Sequence, residues 1–482
     1  MKHWIMIRTT LIALFAIIST TIFAQADTIP EKLTLQQCIQ IALQNNNDVQ
    51  RSEVTSGISK ASWQNAKGYM LPTLNGDISH GINSGRSVDP YTNTYSNQTI
   101  RFASYSLTSS LTLFNFGAIQ RGIKQSKLAF QASEYEIQQQ KDAVALDVIL
   151  QYLQILTNKE LLTAAVQQQE VALKQVERLD ILNQDGSIGP EELSDLKGTY
   201  AQNQLTVASA DNNLQTAKIT LAQLLNIMYD KNRDVEPVNI TDFAGNAVSN
   251  TDSIYQAALQ NLAVVKAAEL RKSSAEYSVK SYRAQRYPSL YFSGDLSTTY
   301  SSAATTQELI SSSYAETDNY VLNNGSKLPV YAVQDNYLSH KIPYATQFAN
   351  NFYNSLSIGI SIPLLNNLGN KTQIKTALLQ QKDAEIVLKT TKTQLQQNIE
   401  QAYANVVSAK NRFTALTEQV NAYKESFRIA EIKFNAGAIT SVDYVLAKNY
   451  LDQASLNLII AKYNYVLSAM VVDYYSGKLR FN

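Results

Sequence analysis

The chain has 482 residues, 45% of them hydrophobic and 17% charged, with a net charge of +1 and one cysteine. Balanced, scattered charge gives no support for nucleic-acid binding through a basic surface, and a lone cysteine excludes an internal disulfide.

Residues 1–26 have the pattern of a secretory signal peptide. Lys2 and Arg8 supply the positive start, Leu11 to Ile18 a short apolar run, and Ala24-Gln25-Ala26 a small-x-small cleavage site before Asp27. The run is too short to span a membrane comfortably, so the mature chain is expected to leave the cytoplasm. No later stretch approaches the ~20 apolar residues of a membrane helix, so any entry into a membrane must be by strands. Cys38 lies in the helical pattern Leu35-Gln36-Gln37-Cys38-Ile39 and reads as a small buried residue.

A helix is expected near residues 33–68, and another near 251–286. Each precedes two segments that alternate with a period of two. Leu74, Gly76, Ile78 and His80 alternate with Thr73, Asn75, Asp77 and Ser79; Tyr105, Leu107, Leu111 and Leu113 alternate with serines and threonines. Leu290, Phe292 and Leu296, then Leu356, Ile358, Ile360 and Ile362, repeat the pattern in the second half. One apolar and one small-polar face mark strands between two environments. Strands of roughly 10 residues have bilayer length, and tyrosines cluster around them (Tyr69, Tyr91, Tyr95, Tyr287, Tyr291, Tyr300, Tyr353), as rings do at membrane interfaces. Four strands cannot close a barrel when the smallest common one has about eight. Open edges are not tolerated in lipid, so several chains must share one barrel.

Two proline-free runs follow, Ala118–Asn183 and Lys371–Asn435, each long enough for roughly 100 Å of helix. In the second run Ile399, Ala402, Val406, Ala409, Phe413, Leu416, Val420, Tyr423, Phe427, Ala430 and Phe434 fall three and four apart, a coiled-coil seam. In the first, Val148, Ile155, Leu162, Ala165, Ala172, Val176 and Leu179 are interrupted by Gln151, Asn158 and Gln169. Gly186 and Gly437 suit the left-handed residue that stops each helix. A returning helix of about 40 residues then starts at Pro190 with Glu191 and Glu192, or at a Ser441 cap with Asp443 in its first turn. Tyr229–Asn250, with Pro237 and Gly245, reads as an irregular linker, and Ala303–Asn351 as an irregular loop.

The two halves repeat one another. Gly186 maps onto Gly437, Asn115 onto Asn366 and Tyr152 onto Tyr403 at an offset of 251 residues; upstream, Leu43-Gln44-Asn45 maps onto Leu259-Gln260-Asn261 and Pro72 onto Pro288 at 216. This divides the chain into a first repeat (27–228), a linker (229–250), a second repeat (251–472) and a tail (473–482). Tandem units of long helices and a hairpin make a scaffold or pore pattern.

Phe434-Asn435-Ala436-Gly437-Ala438-Ile439-Thr440-Ser441-Val442-Asp443-Tyr444-Val445-Leu446-Ala447 resembles the helix–turn–helix tip of the TolC-like outer membrane efflux proteins. Ser361-Ile362-Pro363-Leu364-Leu365-Asn366 and Leu111-Thr112-Leu113-Phe114-Asn115 resemble that family's strand-to-helix junctions, to which Pro72 and Pro288 also belong. The resemblance covers the whole mature chain. It implies a mixed α+β membrane protein: a homotrimer whose four strands per chain form a shared 12-stranded β-barrel, continued by a long periplasmic α-helical coiled-coil barrel. It implies an exit duct in the outer membrane of a Gram-negative bacterium. The duct serves a tripartite efflux pump or a type I secretion system, with a periplasmic adaptor and an inner-membrane transporter as partners. Gly186, Ser187, Ile188, Gly437, Ala438 and Ile439 would meet the adaptor. The family's entrance acidic ring falls on Asp443, with Glu192 and Asp195 as the matching acids of the first half. Its second acidic position falls on Leu446 and its basic lock on Ile439, so the resemblance carries neither over.

Asp443 has a second reading as an ordinary helix-start acid, worth roughly 0.3–1 kcal/mol against the helix dipole. Glutamine runs such as Gln138–Gln140, Gln167–Gln169 and Gln394–Gln397 fit either a wet tunnel or bulk solvent. His80 and His340 have no histidine or cysteine at metal-ligand spacing, and no nucleophile elbow or phosphate loop is present, so neither catalysis nor a cofactor is expected. A periplasmic helical adaptor or spacer without a barrel is the alternative, and the bilayer-length strands speak against it. A surface receptor for phage or toxin is a third reading, with the 303–351 loop as its surface.

Overall fold

The computed structural model describes residues 30–88, 93–97, 99–238 and 250–479. The signal segment 1–26, Tyr91 and most of the linker (239–249) lie outside these residues.

The chain opens with β1 (Lys32–Leu33), α1 (Leu35–Asn45) and α2 (Asn47–Gly68). Strand β2 (Thr73–Asn83), the short β3 (Arg86–Val88) and β4 (Tyr95–Asn97), and β5 (Ile100–Phe114) follow. Then come α3 (Ala118–Gln184), α4 (Pro190–Leu224) and β6 (Asp234–Val235). The second half runs α5 (Thr251–Asn261), α6 (Ala263–Ala284), β7 (Ser289–Ser301), β8 (Thr305–Asn323), β9 (Ser326–Lys341), α7 (Tyr344–Asn350), β10 (Tyr353–Ser361), α8 (Gly369–Asn435) and α9 (Ser441–Tyr475). Paired elements match in length. α1 and α5 have 11 residues, α2 and α6 have 22, α3 and α8 have 67, and α4 and α9 have 35.

Each expected leading helix is two helices. The break falls at Asn46 and at Leu262, both extended caps, just after the repeated Leu-Gln-Asn anchors. Asn46 restarts the helix by accepting from the Asp48 and Val49 amides at 2.9 and 3.4 Å, a local cap that competes with helix continuation.

The chain divides into two compact units that cut across the repeats: residues 1–53, 137–263 and 393–482 form one, and 54–136 and 264–392 the other. In the first unit, helices α1, α3, α4 and α9 bury Cys38, Ala42, Ile149, Tyr152, Leu221 and Val466 in one core. The Tyr152 hydroxyl lies 2.7 Å from the Glu236 carbonyl and 3.1 Å from that of Leu33, holding the parallel β1–β6 pair. Cys38 is fully buried as expected, and burial pushes its thiol up to about 12.

The α8 seam is real. Ile399, Ala402 and Val406 are buried, and the remaining seam residues are half-buried along the helix. They meet aromatic residues of α9: Phe413 stacks on Tyr465 (6.1 Å) and Tyr423 on Tyr450 (5.5 Å). Two of the three interruptions in α3 bond to its neighbouring helix. Gln151 and Asn158 each donate, at 3.0 Å, to the α4 carbonyls of Ala217 and Asn213, so buried amides replace apolar contacts between the helices. Against the expectation of no further membrane-length apolar stretch, α9 is long and apolar enough to cross a membrane, and only 28% of that window is buried within one chain. Its buried residues Ala454, Ala461, Tyr463, Tyr465, Val466 and Met470 pack within the chain and account for part of that apolar composition.

In the second unit, β10-β7-β5-β2 form a four-stranded antiparallel sheet in which β5–β7 joins the halves. The region 303–351 is not an irregular loop. Strands β8 and β9 make a long hairpin through a two-residue turn, Asn324-Gly325, with φ of 51° and 82°. Asn-Gly tolerates this left-handed pair, which matches strand twist. Helix α7 then packs on β7, where buried Gln347 accepts from the Ser301 amide (2.9 Å) and donates to its carbonyl (3.0 Å).

Candidate functional site: membrane strands and helical tip

Register sorts the sheet into two faces. Ile78, Tyr105 and Thr298 share one rung and one face; Gly76, Leu107, Leu296 and Asn354 share the next rung on that side. This face carries Leu74, Ile78 and Ile82 of β2, Leu107 of β5, Leu290 and Phe292 of β7, and Leu356, Ile358 and Ile360 of β10. Ile78 and Leu356 are each 78% exposed, so no described residue covers the apolar face there, while α7 covers its far end at Tyr105, Thr298 and Tyr300. The other face is small and polar: Asn75, Ser79, Ser104, Ser106, Ser293, Ser297, Ser355 and Ser357, with Asp77 and Asp295 as its acids. Tyr300 lies on the apolar face beside Tyr344 of α7 (4.5 Å). Tyr291 does not belong to an outer aromatic belt: its ring lies on the polar face over Gly359, where an added Cβ would come within 2.4 Å of it. The outer edges of β2 and β10 pair with no other strand among the described residues.

The strand–helix junctions are built twice in the same way. Pro72 and Pro288 stand immediately before β2 and β7, and Pro363 follows β10. A missing amide hydrogen and fixed φ suit such strand ends. The Asn115 carbonyl accepts from Ala118 (3.1 Å), as that of Asn366 does from Gly369 (2.8 Å). Their side chains accept from Ile119 and Asn370, both at 3.4 Å. Each junction then places two successive residues in the left-handed region, Phe116 (53°) with Gly117 (77°) and Asn367 (51°) with Leu368 (63°).

The tip turns of the other unit also match. Gly186 (φ 70°) and Gly437 (φ 69°) end α3 and α8. The Ser187 amide donates to Leu182 and the Ala438 amide to Lys433, both at 2.8 Å, while Gly186 and Gly437 donate to Asn183 and Phe434 at 3.0 Å. This double bond pattern closes the last helical turn. Ser187 and Ala438 are exposed, whereas Ile188 and Ile439 are half-buried. Ile188 turns inward onto Leu179, Leu193 and Leu196.

The α9 cap is Thr440 rather than Ser441, which is the first helical residue and is buried. The Thr440 hydroxyl donates to the Asp443 carboxylate at 2.8 Å and accepts from the Asp443 amide at 3.2 Å. Thr440 stands three residues before an acid, as a capping box requires. The helix-start role of Asp443 is therefore in place, and the side chain remains exposed. Glu192 sits in the first turn of α4, whose cap is Gly189 with Pro190 next. Asp195 lines a groove of about 350 Å³ with Leu196, Thr199, Val442, Leu446 and Asn449.

Two further tip residues were not legible in the pattern. Arg178 donates to Asn435 and lies over the Phe434 ring (5.9 Å). Tyr444 is buried against Phe427 and Phe434, and burial pushes its phenol up to about 12. The Arg178 contacts join the two hairpin tips across the duplication, whereas those of Tyr444 close the tip of the second hairpin.

The sequence profile of the outer membrane efflux proteins matches residues 38–226 and 254–471. The chain belongs to the outer membrane efflux protein family. It resembles VceC of Vibrio cholerae (TM-score 0.73, 14% identity, 92% of this chain and 96% of that one). It also resembles the CmeC outer membrane channel of Campylobacter jejuni (0.73, 17%, 93% and 86%). The open state of the MtrE outer membrane channel of Neisseria gonorrhoeae is a third match (0.69, 16%, 92% and 88%). No curated protein sequence matches the chain. This outer membrane efflux protein is a mixed α+β channel of the Gram-negative outer membrane that extends into the periplasm. Its four-stranded sheet is its share of the β-barrel, and its long paired helices form the coiled-coil barrel.

Proposed function

We propose that three copies close a twelve-stranded barrel and act as the exit duct of a tripartite efflux pump or type I secretion system. The observation that carries the shared barrel is a four-stranded sheet with an exposed apolar face, a polar face and two open edges. In hydrocarbon each unpaired backbone group costs several kcal/mol, so β2 of one copy pairs with β10 of the next. Residues 1–26 act as the cleaved export signal. The repeats 27–228 and 251–472, linked by 229–250 and followed by the tail 473–482, each supply two strands and one long helix pair. The apolar surface that α9 leaves uncovered packs against helices of neighbouring copies.

The tip turns receive a periplasmic adaptor that connects the duct to an inner-membrane transporter. Exposed Ser187 and Ala438 touch it directly. Gly186, Gly437, Ile188 and Ile439 shape the turns that present them. Asp443, Glu192 and Asp195 put negative charge at the entrance, where three copies of each concentrate cations. The test is Ala438→Glu, which adds bulk and charge to an exposed turn residue. Export is expected to stop while the level in the outer membrane is unchanged. Full export would refute the contact.

A further inference from the structure

We propose that the helices bind anionic lipid headgroups of the periplasmic leaflet through a basic collar directly below the membrane sheet. The even charge expected from composition breaks down at this level. Helix α2 ends with Lys60 and Lys67, and α3 begins with Arg121, Lys124 and Lys127. Lys280, Arg283 and Arg286 stand at and just beyond the end of α6, and Lys371 and Lys375 at the start of α8. The stretches that carry these ten cations, 60–68, 118–127, 277–286 and 369–377, contain no aspartate or glutamate. All four belong to the unit that holds the sheet. The chain as a whole is only +1, so its positive charge is concentrated here.

Local structure accounts for few of these charges. Lys67 and Arg283 sit in the last turns of α2 and α6, where a cation complements the helix dipole. The starts of α3 and α8 are the opposite case: the dipole disfavours cations there, and neither first turn has an acid. None of the ten takes part in a salt bridge among the described residues. Eight are exposed, while Arg121 and Lys127 are half-buried. Arg121 donates to the Lys280 carbonyl (3.4 Å), and Lys67 and Lys127 approach the same Trp63 ring (4.3 and 5.9 Å).

Position and charge select the partner. Phe114, Phe116 and Tyr287 pack ring to ring at the strand ends (5.0 and 4.9 Å) and remain exposed, as rings do at a membrane interface. The cations begin within two helical turns beyond them. The collar is about 15 Å deep at ~1.5 Å per residue, against a headgroup layer of roughly 5–8 Å. Long Lys and Arg side chains reach back toward the phosphates, and the deeper charges still act across a Debye length of about 8 Å. A phospholipid leaflet with anionic headgroups supplies the opposite charge at this level.

The collar carries its own reporter. Trp63 lies between Lys67 and Lys127, and Trp4→Phe removes the other tryptophan. The test is quenching of Trp63 fluorescence in phosphatidylcholine vesicles that contain spin-labelled phosphatidylglycerol or spin-labelled phosphatidylcholine, the label close to the headgroup. One cation near an anionic surface is worth a roughly fivefold preference, so phosphatidylglycerol is expected to half-quench at about one-fifth of the mole fraction that phosphatidylcholine needs. Salt at about 1 M, which shrinks the Debye length to about 3 Å, should erase the difference. Lys124→Gln, Lys371→Gln and Lys375→Gln together should at least halve the preference. Lys389→Gln, Lys410→Gln and Lys424→Gln, at exposed lysines farther along α8, should leave it unchanged. Equal quenching by the two lipids in the Trp4→Phe protein alone would overturn the proposal, whatever the lysine variants do. A preference that survives the salt, equal loss from both triple variants, or loss on adding soluble glycerol phosphate, the mark of a free-anion site, would overturn it too.

Discussion

Ile358→Lys places a charge on the exposed apolar face at the centre of β10, where the native side chain is 68% exposed within one chain. If that face meets lipid, a lysine near the bilayer midplane costs about 2–4 kcal/mol. Three copies incur roughly 6–12 kcal/mol, comparable with the whole stability of an ordinary domain at about 5–15 kcal/mol. Ser355→Lys is the matched control. It lies on the same strand but on the polar face, directly across from Asp295, where an opposite charge is neutral or favourable. The assay is outer-membrane abundance together with the fraction of unheated sample migrating as a trimer in SDS. Ile358→Lys is expected to lose most of both, and Ser355→Lys neither. Equal loss from the two, or greater loss from Ser355→Lys, would refute the assignment of faces.

Leu368 holds φ of 63° where its counterpart in the first half is Gly117. Leu368→Gly is expected to raise the stability of the solubilised protein by about 1 kcal/mol, read as a later unfolding midpoint; an unchanged or earlier midpoint would show the backbone there is unstrained. Asp443→Asn keeps an acceptor for the Thr440 cap but removes the charge. It should weaken divalent-cation block in single-channel recordings while thermal stability holds; unchanged block leaves Asp443 a helix-start residue alone. Burial raises the Cys38 thiol from 9.0 to about 12, so the folded state keeps its proton where the unfolded state releases it. Its contribution is constant below the unfolded value and is lost as pH rises from about 9 to about 12. Cys38→Ala should flatten that part of the stability–pH curve, and an unaltered slope would contradict the burial argument.

Periodicity made the seam of α8 and the two faces of the sheet readable, because one physical contrast, apolar against polar, governs every position along them. The repeat anchors were equally legible where backbone geometry needs a residue type, as at Gly186 and Gly437. What escaped depended on local competition or distant contact. Asn46 breaks a helix through its own side chain, and Thr440 outcompetes Ser441 as cap by pairing with Asp443. The β8–β9 hairpin was hidden by serine- and asparagine-rich strands that lack clean alternation, although Asn324-Gly325 marks its turn. Arg178 and Tyr444 find partners on another helix, a juxtaposition that no spacing within one helix encodes.

The central claim is that one barrel is shared by several chains, and the mass of the detergent-extracted outer-membrane protein tests it most directly. With bound detergent subtracted, the account predicts three chains per particle. A single chain, or a protein recovered only from the soluble periplasmic fraction, would contradict it.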